Sequence, residues 1–470
     1  MYKSKLVDLL KVLNRKEKEG LKKWVQSPMH LQHKKCQSLL LHLLSKRSLS
    51  PQTCNRHQIY EVLYPQAQYK DSNLKHLANY AVKCVERFIE FLKQEEAVFF
   101  NKKNLISFFE ERGLDKYVTQ ELKKAQGYQQ AQKIQDSTYY FQQYQLEEVI
   151  FKQQNGNSRQ TTTNLQSLFD NQYLAFVLDT LRYACEAITH QRLYKSEYNI
   201  PLLEFILKEI ETGKFDKTPA IQLYYYSLLS LTNPENEQHF QTLQKLLNSH
   251  HDALSTQEIK SILITAINYC VQKLNNGLEK YVRAVFELYQ YGLDYNILIE
   301  NNQLTRFSFK NISTVAIRLG EYDWAFQFIN NYTPFLAAAY QDNYACYARA
   351  KLFFATQKYD TCMELLIKVE FDDLFLNMSA KVMLLKTYYK LQYIDALEAF
   401  LASFKRFLRR KSIIAYQKSI YENMIYFTEK LISLPPNDTI KIAKLKEEIQ
   451  QTNPLTEKPW LLKQLDLLNS

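Results

Sequence analysis

LGEYDWAFQFINNY, residues 319–332, sets a small turn residue and a tyrosine ahead of an aromatic, amphipathic helix. Two later stretches repeat the arrangement: TQKYDTCMELL, aligned on Tyr359, and KLQYIDALEAF, aligned on Tyr393. Three positions after each tyrosine stands a small residue (Ala325, Cys362, Ala396), and four beyond that an apolar one (Ile329, Leu366, Phe400). Ahead of each tyrosine lies another apolar-striped segment, ISTVAIRL, YACYARAKLFFA and AKVMLLKTYYK in turn. The stripes have the helical period. The unit is therefore two antiparallel helices, with a small residue where they approach most closely and a large one beside it. Tyr322, Tyr359 and Tyr393 are 37 and 34 residues apart. Such a unit cannot bury its apolar face alone, so neighbours must stack.

The pattern resembles the tetratricopeptide repeat, whose two-helix unit ends its first helix in a Gly-x-Tyr-like turn and sets Ala early in the second. The likeness is clearest over 306–406, where one unit carries Leu319-Gly320. Weaker pairs precede it, IQLYYYSLLSL with HFQTLQKLL and ILITAINYCVQKL with EKYVRAVFELY, and one weaker pair follows. The resemblance implies a right-handed superhelix with a concave face for peptides or helices. In its register the first-helix positions that line the groove are Lys310, Arg318, Tyr344, Tyr347, Lys351, Lys381, Tyr388 and Tyr389. The repeat's carboxylate-clamp pattern sets Asn four residues after a Lys; here Thr314 follows Lys310 and Leu385 follows Lys381. Through QSPMH, LYPQAQYKDSNLKHLANY and AIQLYYYSLL the chain also resembles large helical proteins of Bacteroidetes-type bacteria, which bring no assigned activity with them.

Composition agrees with an all-α chain. Only 8 of 470 residues are Gly and 11 are Pro. Gly supplies the tight turns and phosphate-cradling loops of nucleotide-binding and β-rich folds, so its scarcity argues against them. The hydrophobic share of 46% is enough for a core. The 7 Cys are scattered through apolar helical patterns, as reduced core cysteines are. The N-terminus lacks the apolar core of a secretory signal and no run is long enough to span a membrane, so the expected compartment is the cytoplasm.

Along the chain, LVDLLKVL is helical, Asn14 breaks it and Pro28 stops the next helix. A long helix is expected from about Asp71, capped by Asp71 or Ser72, with a break near Gly113. FKQQNGNSRQTTTN, residues 151–164, reads as a loop. The expected division is an N-terminal helical region over 1–155 and the repeat array over 156–470.

The net charge of +11 is uneven. Residues 1–50 hold 12 Lys/Arg against 3 Asp/Glu. Lys16, Lys22 and Lys23 stand for that Lys-rich set, which suits phosphates or an acidic partner and equally a solvated helix surface. In FKRFLRRKS, Lys405, Arg406, Arg409 and Arg410 share one helix face, with Phe404, Phe407 and Leu408 opposite. That face is either an anion or docking site or a charged C-terminal turn answering the helix dipole. His33, Cys36, Cys54 and His57 have a spacing that zinc permits, but Cys36 also fits an apolar stripe with Leu39, Leu40 and Leu43. Tyr139–Tyr140 and Tyr224–Tyr226 could stack bases, though helical core is their commoner use. No catalytic or cofactor motif is present. The expectation is a non-catalytic interaction or scaffold protein, with no cofactor and no resident metal, whose groove takes a protein or peptide, most naturally an acidic one. The alternative is a nucleic-acid- or ribosome-associated protein using the N-terminal and 405–411 basic faces.

Overall fold

The computed structural model describes residues 1–157, 163–194, 196–368, 373–410, 415–435 and 438–468. Contacts divide the chain into two compact units, Met1–Lys133 with Ser137–Ala175, and Ile134–Asp136 with Phe176–Ser470. Both are all-α. The only strands among the described residues are two-residue pieces, β1 (Ile299–Glu300) and β2 (Gln303–Leu304), paired antiparallel.

The first unit holds α1 (Lys5–Val12), α2 (Arg15–Gln26), α3 (Lys34–Ser45), α4 (Arg56–Leu63), α5 (Asp71–Glu96), α6 (Val98–Glu110), α7 (Asp115–Gln130), α8 (Ser137–Asn157) and the start of α9 (Leu165–Tyr194). Helices α1 to α5 close on Leu6, Leu10, Leu21, Leu39, Leu40 and Phe88. The break at Asn14 is a reciprocal cap: its Oδ1 accepts the Glu17 amide at 3.0 Å, while Glu17 Oε2 accepts the Asn14 amide at 2.7 Å. Two expectations need correcting. Asp71 and Ser72 do not cap α5, whose N-cap is Lys70 without a side-chain bond. Asp71 is instead held by Lys75 and Arg56, each at 2.9 Å, and by the Tyr69 hydroxyl at 2.8 Å. Lys75, Tyr69 and Arg56 together lower its carboxyl to about 2. The stretch read as a loop is helical as far as Asn157, because FKQQ consists of adequate helix formers continuing α8. Residues 158–162 lie outside the described residues.

The second unit takes the rest of α9, then α10 (Leu203–Glu211), α11 (Pro219–Thr232), α12 (Glu237–Ser249), α13 (Thr256–Asn275), α14 (Tyr281–Asp294), α15 (Arg306–Leu319), α16 (Tyr322–Tyr332), a 3-10 turn (Thr333–Phe335), α17 (Ala338–Ala355), α18 (Tyr359–Lys368), α19 (Leu374–Lys390), α20 (Ile394–Arg410), α21 (Ala415–Ile432), α22 (Thr439–Gln451) and α23 (Lys458–Leu468). Consecutive helices pair, α11 with α12 through α19 with α20, and first helices stack on one another, α15 on α17 and α17 on α19.

The repeat is sharpest in its turns. Gly277, Gly320, Gln357 and Gln392 all adopt left-handed backbone, with φ of 85, 85, 61 and 58°. In each case the next amide donates five residues back: Leu278 to Lys273, Glu321 to Ala316, Lys358 to Phe353 and Tyr393 to Tyr388, at 2.8–3.1 Å. This is the hydrogen-bonded C-terminus that Gly normally provides. It corrects the alignment on tyrosine. One residue separates Gly320 from Tyr322 and Gln357 from Tyr359, but Gln392 directly precedes Tyr393. Counted from the turn, the counterparts of buried Ala325 and Cys362 and of Ile329 and Leu366 are Leu397 and Leu401, both buried. Ala396 is exposed and Phe400 half-buried. All seven cysteines are free and buried. No described helix is long and apolar enough to cross a membrane.

Candidate functional site

Counted back from the left-handed turn, the first helices α15, α17 and α19 present equivalent positions to one face. Six residues before it stand Thr314, Lys351 and Lys386; ten before it, Lys310, Tyr347 and Val382; thirteen before it, Phe307, Tyr344 and Ser379. Helical geometry puts Ser379 and Lys386, two turns apart, on one side of α19, with Lys381 and Tyr388 on the opposite side. The groove register read from sequence therefore parts in two.

Lys310, Tyr347 and Lys351 come together, joined by Ser379, Lys386 and Thr314. Lys351 Nζ donates to Thr314 Oγ1 at 3.1 Å, tying α17 to α15. Lys310 Nζ donates to Ser379 Oγ at 3.3 Å, reaching from α15 to α19, and lies 5.6 Å from the centre of the Tyr347 ring. Lys386 donates to Glu457 Oε2 at 2.8 Å and stands over Phe354 and Trp460. Burial lowers the Lys310 ammonium's pKa. Burial first, then the like charges of Lys386, Lys310 and Arg318, push Lys351 down to about 8 against the partial offset of Glu457. Tyr344, Tyr347 and Tyr389 are buried. Tyr344 donates to Asp373 at 3.2 Å, Tyr389 packs edge-on to Trp460, and burial raises the Tyr347 hydroxyl's pKa. Arg318 is exposed and paired with Glu279.

Lys381 and Tyr388 face α20 instead. The Lys381 ammonium lies 5.7, 6.0 and 4.8 Å from the ring centres of Phe400, Phe404 and Phe407, and Tyr388 lies 5.7 Å from Phe400. Along α20, Phe404 and Leu408 are buried, Lys405 pairs with Glu429 at 2.7 Å, and Arg406, Arg409 and Arg410 are exposed. Sequence reasoning missed Lys386, Ser379 and Glu457; the spacing from the left-handed turns would have found the first two.

In the first unit, Lys22 pairs with Glu19 at 2.7 Å, while Lys16 and Lys23 edge a cleft of about 740 Å³ whose rim also carries Glu17, Glu95 and Glu96. The basic set is thus interleaved with acids. His33 Nδ1 caps α3 by accepting the Cys36 amide at 3.1 Å, and His57 stacks on Tyr69 at 4.0 Å. Cys36 and Cys54 are core residues, and burial pushes the Cys36 thiol up to about 12. Among the described residues no three His, Cys, Asp or Glu side chains gather as metal ligands would. Tyr140, Tyr224 and Tyr225 are buried in helix packing. A cleft of about 460 Å³ between α9, α11 and α13 is lined by Arg182, Tyr224 and Glu258, among others. Two of its polar groups are engaged structurally: Tyr224 donates to Glu258 at 2.8 Å, and Glu258 completes the cap of α13 with Ser255.

No known protein family, curated protein or solved structure matches the chain.

Proposed function

We propose that the second unit is a non-catalytic scaffold that receives a protein or peptide partner on its helix-pair array. The observation that carries this reading is the patch between α19 and α20. There a lysine ammonium lies over half-buried phenylalanines beside Tyr388, and burial lowers its pKa with no described carboxylate opposing the shift. A cation set on aromatic faces suits a partner surface that is acidic and partly apolar. In this reading the array is a right-handed superhelix of the tetratricopeptide type, works in the cytoplasm and is related to the helical proteins of Bacteroidetes-type bacteria. A second reading, association with nucleic acid or ribosomes, is favoured by the three exposed arginines at the end of α20, since phosphate contacts dominate such binding.

The test is affinity capture from native cells with and without nuclease. Wild type would be compared with Lys381→Glu/Tyr388→Ala and with Lys16→Glu/Lys22→Glu/Lys23→Glu. One or two stoichiometric proteins that survive nuclease and are lost only with the first variant support the scaffold. Ribosomal or nucleoid proteins that vanish with nuclease, or with the second variant, overturn it in favour of the rival.

A further inference from the structure

The face shared by α15, α17 and α19 holds more positive charge than the described residues answer. Lys310 and Lys351 spend their ammoniums on hydroxyls, those of Ser379 and Thr314. Only Lys386 has a carboxylate within ion-pair distance, Glu457; Asp373, which also acts on Lys310, is held by Arg306 at 3.5 Å. Arg318, which also acts on Lys351, is matched by Glu279. Three ammoniums thus share one carboxylate, a surplus of two charges. Lys390 and Lys463 add the same sign beside Lys386. A hydroxyl is a dipole and leaves the charge of an ammonium uncompensated, and a half-buried charge without a counter-ion is disfavoured. Each ammonium has three donors, so donors remain unspent at all three positions.

The layer is also narrow. Lys310 spans from α15 to α19, and Tyr347 beneath it is only 6% exposed. An extended chain does not fit where a side chain already bridges helices two pairs apart. A compact group asks for less room, and its charge should match the surplus.

We propose that this layer binds a free, compact oxyanion carrying two negative charges, a phosphate or a small dicarboxylate, held by the ammoniums of Lys310, Lys351 and Lys386 and the hydroxyls of Thr314, Ser379 and Tyr347. The site is separate from the α19–α20 patch and does not depend on the partner reading. It also differs from the Lys-x3-Asn pattern of the repeat it resembles, because Thr314 stands where that Asn would be. A bound dianion restores Lys351's preference for its charged form, so binding near pH 8 takes up protons.

The experiment is calorimetric titration of the full chain at low ionic strength with inorganic phosphate, succinate, formate and a Glu-rich peptide. Expected is one saturable site for phosphate or succinate, the tighter of the two identifying the source, with formate at least tenfold weaker. Lys351→Met and Lys310→Met should each weaken the dianion at least tenfold. At pH 8, succinate should draw about half a proton into wild type and none into Lys351→Met. Circular dichroism checks that the variants fold. Should one fail, the other and Lys386→Gln carry the same comparison. Equal affinity in wild type and variants, or no saturable binding of either dianion, overturns the proposal. So does a Glu-rich peptide that displaces succinate from wild type, which would give the centre to a partner's side chain. None of these outcomes alters the capture result, so the two proposals fail separately.

Discussion

Lys351 makes folding depend on pH in a definite direction. Its pKa is about 8 in the folded chain, against about 10.4 for an unhindered lysine. Below pH 8 both states hold the proton, and the cost of the enclosed charge is fully present. Between about pH 8 and 10.4 the folded state releases it first, so the unfolded state binds more protons and stability rises with pH. Lys351→Met removes the cost at every pH. Chemical denaturation should therefore find it more stable than wild type by roughly 2 kcal/mol at pH 7, with the gap closing toward pH 10. A constant gap would assign the gain to packing alone. This feature was only half legible in sequence. In the sequence Lys310, Tyr347 and Lys351 fall on a common face, but on α19 counting from Tyr393 gives Lys381 and Leu385 where counting from the turn gives Val382 and Lys386. One residue fewer between turn and tyrosine in that unit rotates every position counted from Tyr393 by about 100°.

The turns and the tight helix contacts decide how each pair closes. Gln357 and Gln392 hold the left-handed backbone that Gly277 and Gly320 adopt without penalty. Gln357→Gly should thus stabilise the chain by about 0.5–1 kcal/mol in thermal or denaturant melts. A loss would mean that the Gln side chain contributes more than its backbone costs. Gly292 tests the opposite case: a Cβ there would stand 2.7 Å from Leu298 and 2.8 Å from Leu263. Gly292→Ala should cost about 1–3 kcal/mol by overpacking, despite alanine's better helix propensity. Helix existence was readable where apolar stripes report burial directly, but not at the polar end of α8, whose FKQQNGN reads as a loop. Caps were less so. Asn14, read only as a break, caps α2 with the Glu three residues on, whereas Asp71 is drawn away by Lys75, Arg56 and Tyr69, two of which lie outside its helix.

For the whole molecule, scarce glycine and helical periodicity were enough to indicate stacked helix pairs, while the division inside α9 rests on contacts between distant segments that no local pattern records. Burial of the cysteines is a global property with a simple readout. Desolvation pushes the Cys185 and Cys270 thiols up to about 12 and Cys362 to about 11. A thiol reagent at pH 8 should find less than about one reactive group per folded chain, and all seven after denaturation. Rapid reaction of several in the folded state would contradict the packing.

If the half-buried lysines of the array receive a dianion, its binding should stabilise the fold. The most direct measurement is the thermal midpoint of the full chain in phosphate against sodium chloride of equal ionic strength, for wild type and Lys351→Met. Saturating phosphate should raise the wild-type midpoint by roughly 2–5 °C and leave the variant unmoved. The same rise in both, or none in wild type, would contradict it.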